Sequence, residues 1–408
     1  MNLQSKNALM IILVITIIVD IMGAGLVFPI MPSLFFNGVY VTFGHPSSNF
    51  QNWYYAMALA CWPLGLMIGC PIIGELSDKY GRRSIIVVAL FATSCSYALS
   101  AYAIYTNSYL LFIASRFISG LSGGAFEIAQ AAVIDISTVK NKARNLGYIT
   151  MAASLGFVAG PVITSAMSSL HMSHIVPFEF AGVMALVNIT FIMMFMRKDL
   201  PKNPGLIVDF KSVYRAILFL IADKRVRVIG IIYLLVQCGW GFYAQGVALL
   251  LHTVYGCGIT ETGLFYAAMG FATAFASLTI QPRIFANVSP SKALVVSALI
   301  CGFGLVVVNI VGHEFMQWIL TVVLSASQLI CYTALLYIIS MSVSDKEQGK
   351  AMGAAGAGFG LAWFVNDIAM GHLSSITPGT PITVGGLLYF AAVAIFIIAI
   401  KVFRERVQ

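Results

Sequence analysis

Only 9% of the 408 residues are charged and 60% are hydrophobic, whereas about a quarter of the residues of a soluble globular protein are charged. This balance excludes a soluble domain and indicates an integral membrane protein. Because only helices and closed barrels satisfy the backbone in lipid, and the apolar runs are long and unbroken rather than alternating, we predict membrane-spanning helices. The net charge of +8 is interpreted below from the positions of the Lys and Arg residues along the chain.

Twelve apolar spans follow one another along the chain, which predicts an all-α protein with 12 transmembrane helices. They are residues 8–33, 52–73, 84–104, 108–135, 145–169, 178–196, 228–251, 262–285, 293–311, 315–340, 350–371 and 382–402. The glycine-rich spans are candidates for breaks or bends. A longer polar connection separates the spans six and six, which predicts an N-terminal six-helix bundle (1–196), a cytoplasmic linker with a short interfacial helix (197–227) and a C-terminal six-helix bundle (228–408). The first span contains Asp20 and is too long for a signal peptide, so we expect an uncleaved first helix.

The positive charges predict the orientation, because Lys and Arg collect on the cytoplasmic side of a membrane protein. Of the 23 Lys and Arg residues, 22 lie in the two tails, in the even-numbered connections or at the span ends that border them, and the remaining one, Arg116, lies well inside a span. Both termini are therefore expected in the cytoplasm, and a nucleic-acid partner is not expected. The histidines show no metal-ligand spacing and fall at or beside the external loops: His45, His171, His174, His252, His313 and His372.

Four short stretches carry a resemblance to a known family. "GELSDKYGRR" (Gly74 to Arg83) resembles the cytoplasmic signature of the major facilitator superfamily, between its second and third helices. "DIMGAGLVFPIMP" (Asp20 to Pro32) is similar to the first helix of the drug:proton antiporter branch that includes the tetracycline exporters. "RFISGLSGG" (Arg116 to Gly124) and "GYITMAASLGFVAGP" (Gly147 to Pro161) match the patterns of its fourth and fifth helices, although Thr164 and Ser165 replace a glycine pair that normally follows.

The resemblance implies two six-helix bundles that rock about a midplane site. It implies a cytoplasmic gate of Gly74, Asp78, Gly81, Arg82, Arg83 and the helix-ending Asp135, although these charges could instead serve topology alone. It also implies that a helix 5 motif seals the pathway: Gly147, Gly156, Gly160 and Pro161. Independently of the family, glycines at four-residue spacing allow close helix packing, and a proline bends a helix.

Charged residues inside the predicted membrane are the main indication of function, because they are costly there and usually face a cavity or a partner. Asp20 and Arg116 lie at similar predicted depths, so they could pair, and a proton on Asp20 would break the pair. Glu127 lies about 16 Å deeper on the face of Arg116 and is interpreted as a second acidic group for a proton or a cationic substrate. Alternatively, Asp20 and Arg116 form a static pair and Glu127 extends to the cytoplasm. Asp367 is expected to be an external gate or an interfacial residue.

Aromatic and amide residues of the second half are candidates for lining a mixed polar and aromatic pocket, although such residues more often serve packing. They are Gln237, Trp240, Tyr243, Gln328, Tyr332 and Trp363.

The expected function is proton-coupled efflux of small, drug-like molecules by alternating access in a bacterial inner membrane. The chain has no phosphate-loop motif and no clustered catalytic motif, so ATP-driven transport, an enzyme and a bound cofactor or metal are not expected. The expected partners are a small-molecule substrate, protons and the lipid bilayer, with the protein a monomer. A dedicated metabolite carrier of the same fold is the alternative, for example for an amino acid or a carboxylate siderophore, with Arg116 as the anion ligand.

Overall fold

The computed structural model of the protein describes residues 3–36, 48–123, 125–136, 142–196, 209, 211–344 and 347–405. Within these ranges the chain is helical apart from turns and short connections, and it forms no β-strand. The predicted all-α fold class is confirmed.

The helices are numbered here in chain order. Their bounds are α1 Leu3–Val27, α2 Met31–Phe36, α3 Ser48–Tyr80, α4 Arg82–Tyr105, α5 Tyr109–Ser122, α6 Ala125–Ile136, α7 Lys142–Ser169, α8 Val176–Phe195, α9 Lys211–Ala222, α10 Arg227–Val254, α11 Ile259–Phe275, α12 Gln281–Asn287, α13 Pro290–Ile310, α14 Glu314–Met341, α15 Gln348–Ile376 and α16 Thr380–Glu405. A π-helical segment, Ala276–Ile280, joins α11 to α12.

Ten helical stretches in the described part of the chain are long and apolar enough to cross a membrane. Two predicted spans, 108–135 and 350–371, are not among the ten. The first is divided into α5 and α6, each too short to qualify alone, and the second is one helix, α15, in which glycine and polar residues dilute the apolar ones. The protein therefore crosses the membrane several times, whereas the number twelve and the cytoplasmic termini stay predictions.

The break between α5 and α6 comes where the sequence has two consecutive glycines. The backbone N–H of Gly123 donates to the carbonyl of Gly120 at 3.0 Å, a tightened last turn. The hydroxyl of Ser122 lies 2.9 Å from that of Thr93 in α4, which holds this end of α5 in place.

One compact unit of the structure comprises Met1–Pro46, Cys61–Phe210 and Cys257–Ala274. Its apolar core is built from α1, α4, α6, α7 and α8, with Leu13, Ile17 and Ile86 among its fully buried side chains. Helix α1 is central because it packs on α6, α7 and α8. This arrangement places Asp20 of α1 among several helices rather than on an outer surface.

The other compact unit comprises Ser47–Ala60, Lys211–Gly256 and Phe275–Gln408. Helix α10 is central here and packs on α9, α14, α15 and α16. Gly239 of α10 and Gly385 of α16 let the two backbones approach closely, since a Cβ at Gly239 would lie 2.8 Å from the Gly385 carbonyl oxygen. All six candidate pocket residues lie on α10, α14 and α15, within this unit.

The short helix predicted in the linker is present as α9. Phe219 and Leu220 are its buried residues, and it packs on α10 and α15. Leu220 fits against Gly230 and Gly358, where larger side chains would collide with it. The preceding linker residues 197–208 and Phe210 lie outside the described residues.

Candidate functional site

Asp20 lies in α1, partly buried, one turn before Gly23. The hydroxyl of Tyr97, from α4, lies against Gly23 so closely that any side chain there would collide with it. Tyr97 is only 4% exposed, and it interacts electrostatically with both Asp20 and Arg116. A buried phenol therefore lies within electrostatic range of both Asp20 and Arg116, the two residues predicted to pair.

Arg116 lies in α5 and is 3% exposed. Tyr97 and Cys61 are the titratable side chains that interact with it electrostatically, and its Nε has no hydrogen-bond partner among the described residues. Burying a guanidinium group without full pairing is costly. An anion that accepted a hydrogen bond from this free Nε would reduce that cost. The structure thus places Arg116 beside Tyr97, and direct pairing with Asp20 stays a prediction.

Glu127 belongs to α6, whose neighbouring residues Ala125, Ile128 and Ala129 are buried in the apolar core. The side chain of Glu127 itself lies outside the described residues. Its role as a second acidic group therefore stays a prediction.

The signature stretch forms the sharp connection between α3 and α4. Gly81 separates the two helices with φ of 93°, a left-handed conformation that favours glycine. Asp78 and Arg82 flank it and form a salt bridge of 2.7 Å. Arg82 also donates to Ser77 Oγ, and Ser77 donates to the Gly74 carbonyl at 2.7 Å. The guanidinium is thereby held in one orientation at this turn.

Two other predicted gate residues have different surroundings. Arg83 donates to the carbonyl of Met193 near the end of α8 at 2.6 Å, so it fastens the turn to that helix. A Cβ at Gly74 would meet nothing within 4 Å, so close packing does not require glycine there. The side chain of Asp135 lies outside the described residues.

The helix 5 motif brings the backbones of α1 and α7 together. A Cβ at Gly156 would lie 2.7 Å from the Ile18 carbonyl oxygen, and one at Gly160 would lie 2.8 Å from the Leu26 nitrogen. Pro161 contributes to the same contact, because its Cδ would lie 3.1 Å from a Cβ at Gly25. Gly147 lies within α7, and its surroundings are outside the described residues.

Thr164 and Ser165, which depart from the family pattern, are both buried and both donate to carbonyl groups. Thr164 Oγ1 donates to Leu26 of α1 at 2.9 Å, and Ser165 Oγ donates to Thr260 of α11 at 2.9 Å. The hydroxyl groups therefore continue the close contacts of α7 past the glycines, by hydrogen bonds.

The candidate pocket residues of α10, α14 and α15 lie in one compact unit, and several of them contact one another. Gln328 donates to Gln237 at 3.4 Å and accepts from Tyr389. The rings of Trp240 and Tyr243 lie 5.4 Å apart. The remaining two pack on other aromatic rings: Tyr332 on Tyr233, and Trp363 on Phe359. Gln237 and Gln328 are thus joined, whereas the contacts of the aromatic residues are compatible with packing alone.

A charge cluster that sequence reasoning missed joins the start of α10 to the start of α15. Arg225 binds both carboxylate oxygens of Glu347, at 2.9 and 3.0 Å, and both oxygens of Asp223, at 3.2 and 2.9 Å. The bidentate pairing with Arg225 lowers the pKa of Glu347 to about 2. The pKa of Arg225 is raised by the same hydrogen bonds, those of Asp223 first.

The family follows from comparison with known proteins. The sequence profile of the Major Facilitator Superfamily matches residues 13–366. The chain belongs to the Major Facilitator Superfamily. It is therefore a multi-pass membrane transporter and not an enzyme.

Similar proteins within the superfamily include the class H tetracycline resistance protein of Pasteurella multocida, which is 25% identical over 353 residues, 85% of this chain and 84% of that protein. The class C tetracycline resistance protein of Escherichia coli is 24% identical over 412 residues, 99% of this chain and 98% of the relative. Among solved structures, the human organic anion transporter MFSD10 (TETRAN) matches with a TM-score of 0.75 at 17% identity, over 96% of this chain and 99% of that chain. At that identity the structural likeness shows the fold alone.

Proposed function

We propose that this member of the Major Facilitator Superfamily is a proton-coupled exporter of small, drug-like molecules, resident in a bacterial inner membrane. Two relatives that cover most of the chain are tetracycline resistance proteins. Tetracycline is therefore the first compound to test. The proposal retains the predicted six-helix bundles and cytoplasmic termini, and a monomeric protein whose partners are its substrate, protons and the lipid bilayer.

The observation that carries the proposal is the arrangement of Asp20, Tyr97 and Arg116. All three lie in the same compact unit, and Tyr97 interacts with the other two. In the proposal, an ionised Asp20 interacts with Tyr97, which in turn interacts with the buried Arg116, whereas a protonated Asp20 lacks this charge. Protonation of one carboxylate thereby changes the electrostatic balance among α1, α4 and α5.

Asp20 lies where the backbones of α1 and α7 are in close contact, so its protonation affects both helices. Asp20 lies between Ile18 and Met22, and both of these residues contact Gly156 of α7 through their backbones. A shift of α1 at Asp20 therefore moves α7 with it. In the proposal, this coupled movement alternates the access of the substrate site.

The salt bridge of Asp78 and Arg82 supplies the proposed cytoplasmic gate. Arg82 is 13% exposed and Asp78 is 43% exposed, so the aspartate retains a free face for further partners. Asp135, at the end of α6, is the proposed partner from the same unit. Exposed ion pairs contribute only about 0–1 kcal/mol each, which suits a gate that must open in every cycle.

The dedicated anion carrier remains the second candidate because of one observation. Arg116 is buried, and its Nε lacks a hydrogen-bond partner among the described residues. A substrate carboxylate would satisfy this donor with a charge-assisted hydrogen bond. In that case Arg116 would bind the substrate, and Asp20 would not be needed for coupling.

The test uses everted membrane vesicles energised to an inside-acid gradient, with the gradient followed by a fluorescent dye. Tetracycline, lipophilic cations and carboxylate metabolites are added in turn to wild type, Asp20→Asn and the control Glu179→Gln. Glu179 is an exposed carboxylate at the start of α8, so the control removes one acidic group outside the site. The proposal expects a drug-like compound to collapse the gradient in wild type and control but not in Asp20→Asn. Transport of a carboxylate that survives Asp20→Asn and is lost in Arg116→Gln would establish the carrier instead.

A further inference from the structure

Asp367 is a carboxylate that neither the gate nor the site of Asp20 uses. It lies in α15 and is 0% exposed. Neither of its carboxylate oxygens makes a well-aligned hydrogen bond with a described residue, although the Gln245 side chain lies within hydrogen-bonding range of the carboxyl group. The structure therefore buries Asp367 completely and gives it an amide, but no cation, as its polar neighbour.

The surroundings of Asp367 are polar but contain unsatisfied atoms as well. Gln245 of α10 lies beside it. Trp363 and Asn366 of α15 are also buried. The Nε1 of Trp363 and the Oδ1 of Asn366 lack hydrogen-bond partners in the described part of the chain, and the Nε2 of Gln245 has none besides Asp367. The donors of Gln245 and Trp363 thus lie near a carboxyl group that has no cationic partner.

Two titratable side chains in the described part of the chain interact electrostatically with Asp367, and neither is cationic. They are Tyr55, from the part of α3 that belongs to the same compact unit, and Cys238 of α10. Trp53 of α3 packs on Gly371, one turn beyond Asp367, and has no charge.

The cations of the other helices that pack on α15 lie far from Asp367. Arg227 begins α10, 18 residues before Gln245, which corresponds to about 27 Å along the helix. Helix α9, with Lys211 and Arg215, packs through Leu220 on Gly358, nine residues before Asp367. On α14 and α16 the charged residues stand at the helix ends, at Glu314 and at Lys401, Arg404 and Glu405. Two histidines are nearer along these helices: His252, seven residues after Gln245 in α10, and the exposed His372, five residues after Asp367 in α15. No Lys or Arg among the described side chains of these helices therefore compensates a charge on Asp367.

An ionised carboxylate without a partner is strongly disfavoured in such an interior, so the group binds a proton instead. We propose that Asp367 is a second proton-carrying residue of the transporter and is protonated in the conformation described here. This inference rests on the proposed proton-coupled function and extends it to the compact unit that lacks Asp20.

The donors of Gln245 and Trp363 can stabilise the ionised form of Asp367. If Trp363 Nε1 turns toward the carboxylate in another conformation and joins Gln245 Nε2, the two donors stabilise the ionised form by hydrogen bonds. The proton then leaves Asp367 when the helices rearrange, and a proton returns when the present arrangement is restored. Asp367 would accordingly exchange a proton once in each cycle.

Infrared difference spectroscopy of the purified full-length protein in lipid nanodiscs tests the protonation directly. At neutral pH we expect a protonated-carboxyl C=O band that disappears in Asp367→Asn and is retained in Asp20→Asn. Asparagine has nearly the shape of protonated aspartic acid, so the variant should fold. If it does not, Asp367→Glu serves instead, because it should shift the band while keeping a carboxyl group. A wild-type spectrum without an Asp367-dependent band at neutral pH would overturn the proposal.

A second measurement tests the role in transport, with tetracycline as the probe in everted vesicles. We expect Asp367→Asn to abolish the collapse of the proton gradient that tetracycline causes in wild type. An undiminished collapse would show that Asp367 carries no coupled proton, whatever its protonation state. The infrared band does not depend on transport. A missing band with intact tetracycline exchange refutes only this inference, whereas a band without exchange in wild type refutes only the proposed function.

Discussion

Replacing Gly160 by alanine should weaken the transporter by separating two helices that touch through their backbones. A Cβ at this position would lie 2.8 Å from the Leu26 nitrogen and 2.9 Å from the Gly25 carbonyl carbon, whereas ordinary contacts begin at 3.4 Å. The closest contact would be the Met22 carbonyl oxygen at 2.5 Å, so the backbones of α1 and α7 must move apart by about 0.9 Å there. Since backbone atoms cannot rotate away, we expect an overpacking cost of about 1–3 kcal/mol.

The matched control is Gly356→Ala in α15, where an added Cβ meets nothing within 4 Å. Both substitutions exchange glycine for alanine inside a helix, which by itself favours the helix by about 1 kcal/mol. The difference between the two variants therefore isolates the cost of the clash.

Thermal denaturation in detergent, read as the fraction of monodisperse protein left after heating, measures this difference. We expect Gly160→Ala to lose structure at a lower temperature than Gly356→Ala, and tetracycline-driven proton exchange to fall in Gly160→Ala alone. If both variants have the same thermal stability and the same exchange rate, the close contact between α1 and α7 does not limit the protein, and the proposed coupling through that contact is refuted.

Three other substitutions test separate contacts. Thr164→Val keeps the shape but removes the donor to the Leu26 carbonyl, and should cost about 1 kcal/mol in the same denaturation assay; an unchanged stability would refute a role for this hydrogen bond. Arg82→Ala should make a thiol introduced on the cytoplasmic side of the pathway react faster with a membrane-impermeant reagent, whereas an unaltered rate would exclude a gate at this turn. Because Arg225 lowers the pKa of Glu347 to about 2, the stabilisation from this pair is complete above the unfolded pKa of about 4.3 and is lost as the pH falls through about 2. Glu347→Gln should remove this acid-dependent loss of stability, and an unaltered acid profile in the variant would contradict the assignment.

The helices could be predicted from the sequence because each apolar run must satisfy its own backbone in lipid. The same reasoning could not place the break at Gly123, since a glycine pair permits a continuous helix as well as an interrupted one. It also could not decide whether α15 is apolar enough to cross a membrane alone, because its glycines and polar residues dilute the hydrophobic signal.

The turn around Gly81 could be predicted because the residues that form it are adjacent in the sequence and resemble a known signature. Tyr97 was not, because a tyrosine in an apolar span gives no signal until α1, α4 and α5 pack together. The pairing of Arg225 with Glu347 joins residues 122 positions apart, and no local pattern predicts a contact over that distance. For Asp367 the sequence reveals the charge, whereas its complete burial depends on helices from three parts of the chain.

The central claim is that a proton on Asp20 drives the export of a drug-like molecule. It is tested most directly with purified protein in liposomes of defined orientation, in which tetracycline accumulation is measured as an imposed proton gradient is switched on. The account predicts gradient-driven accumulation by wild type and Glu179→Gln. Asp20→Asn should still bind tetracycline but accumulate no more with the gradient than without it. Accumulation by Asp20→Asn that follows the gradient as in wild type would contradict the account.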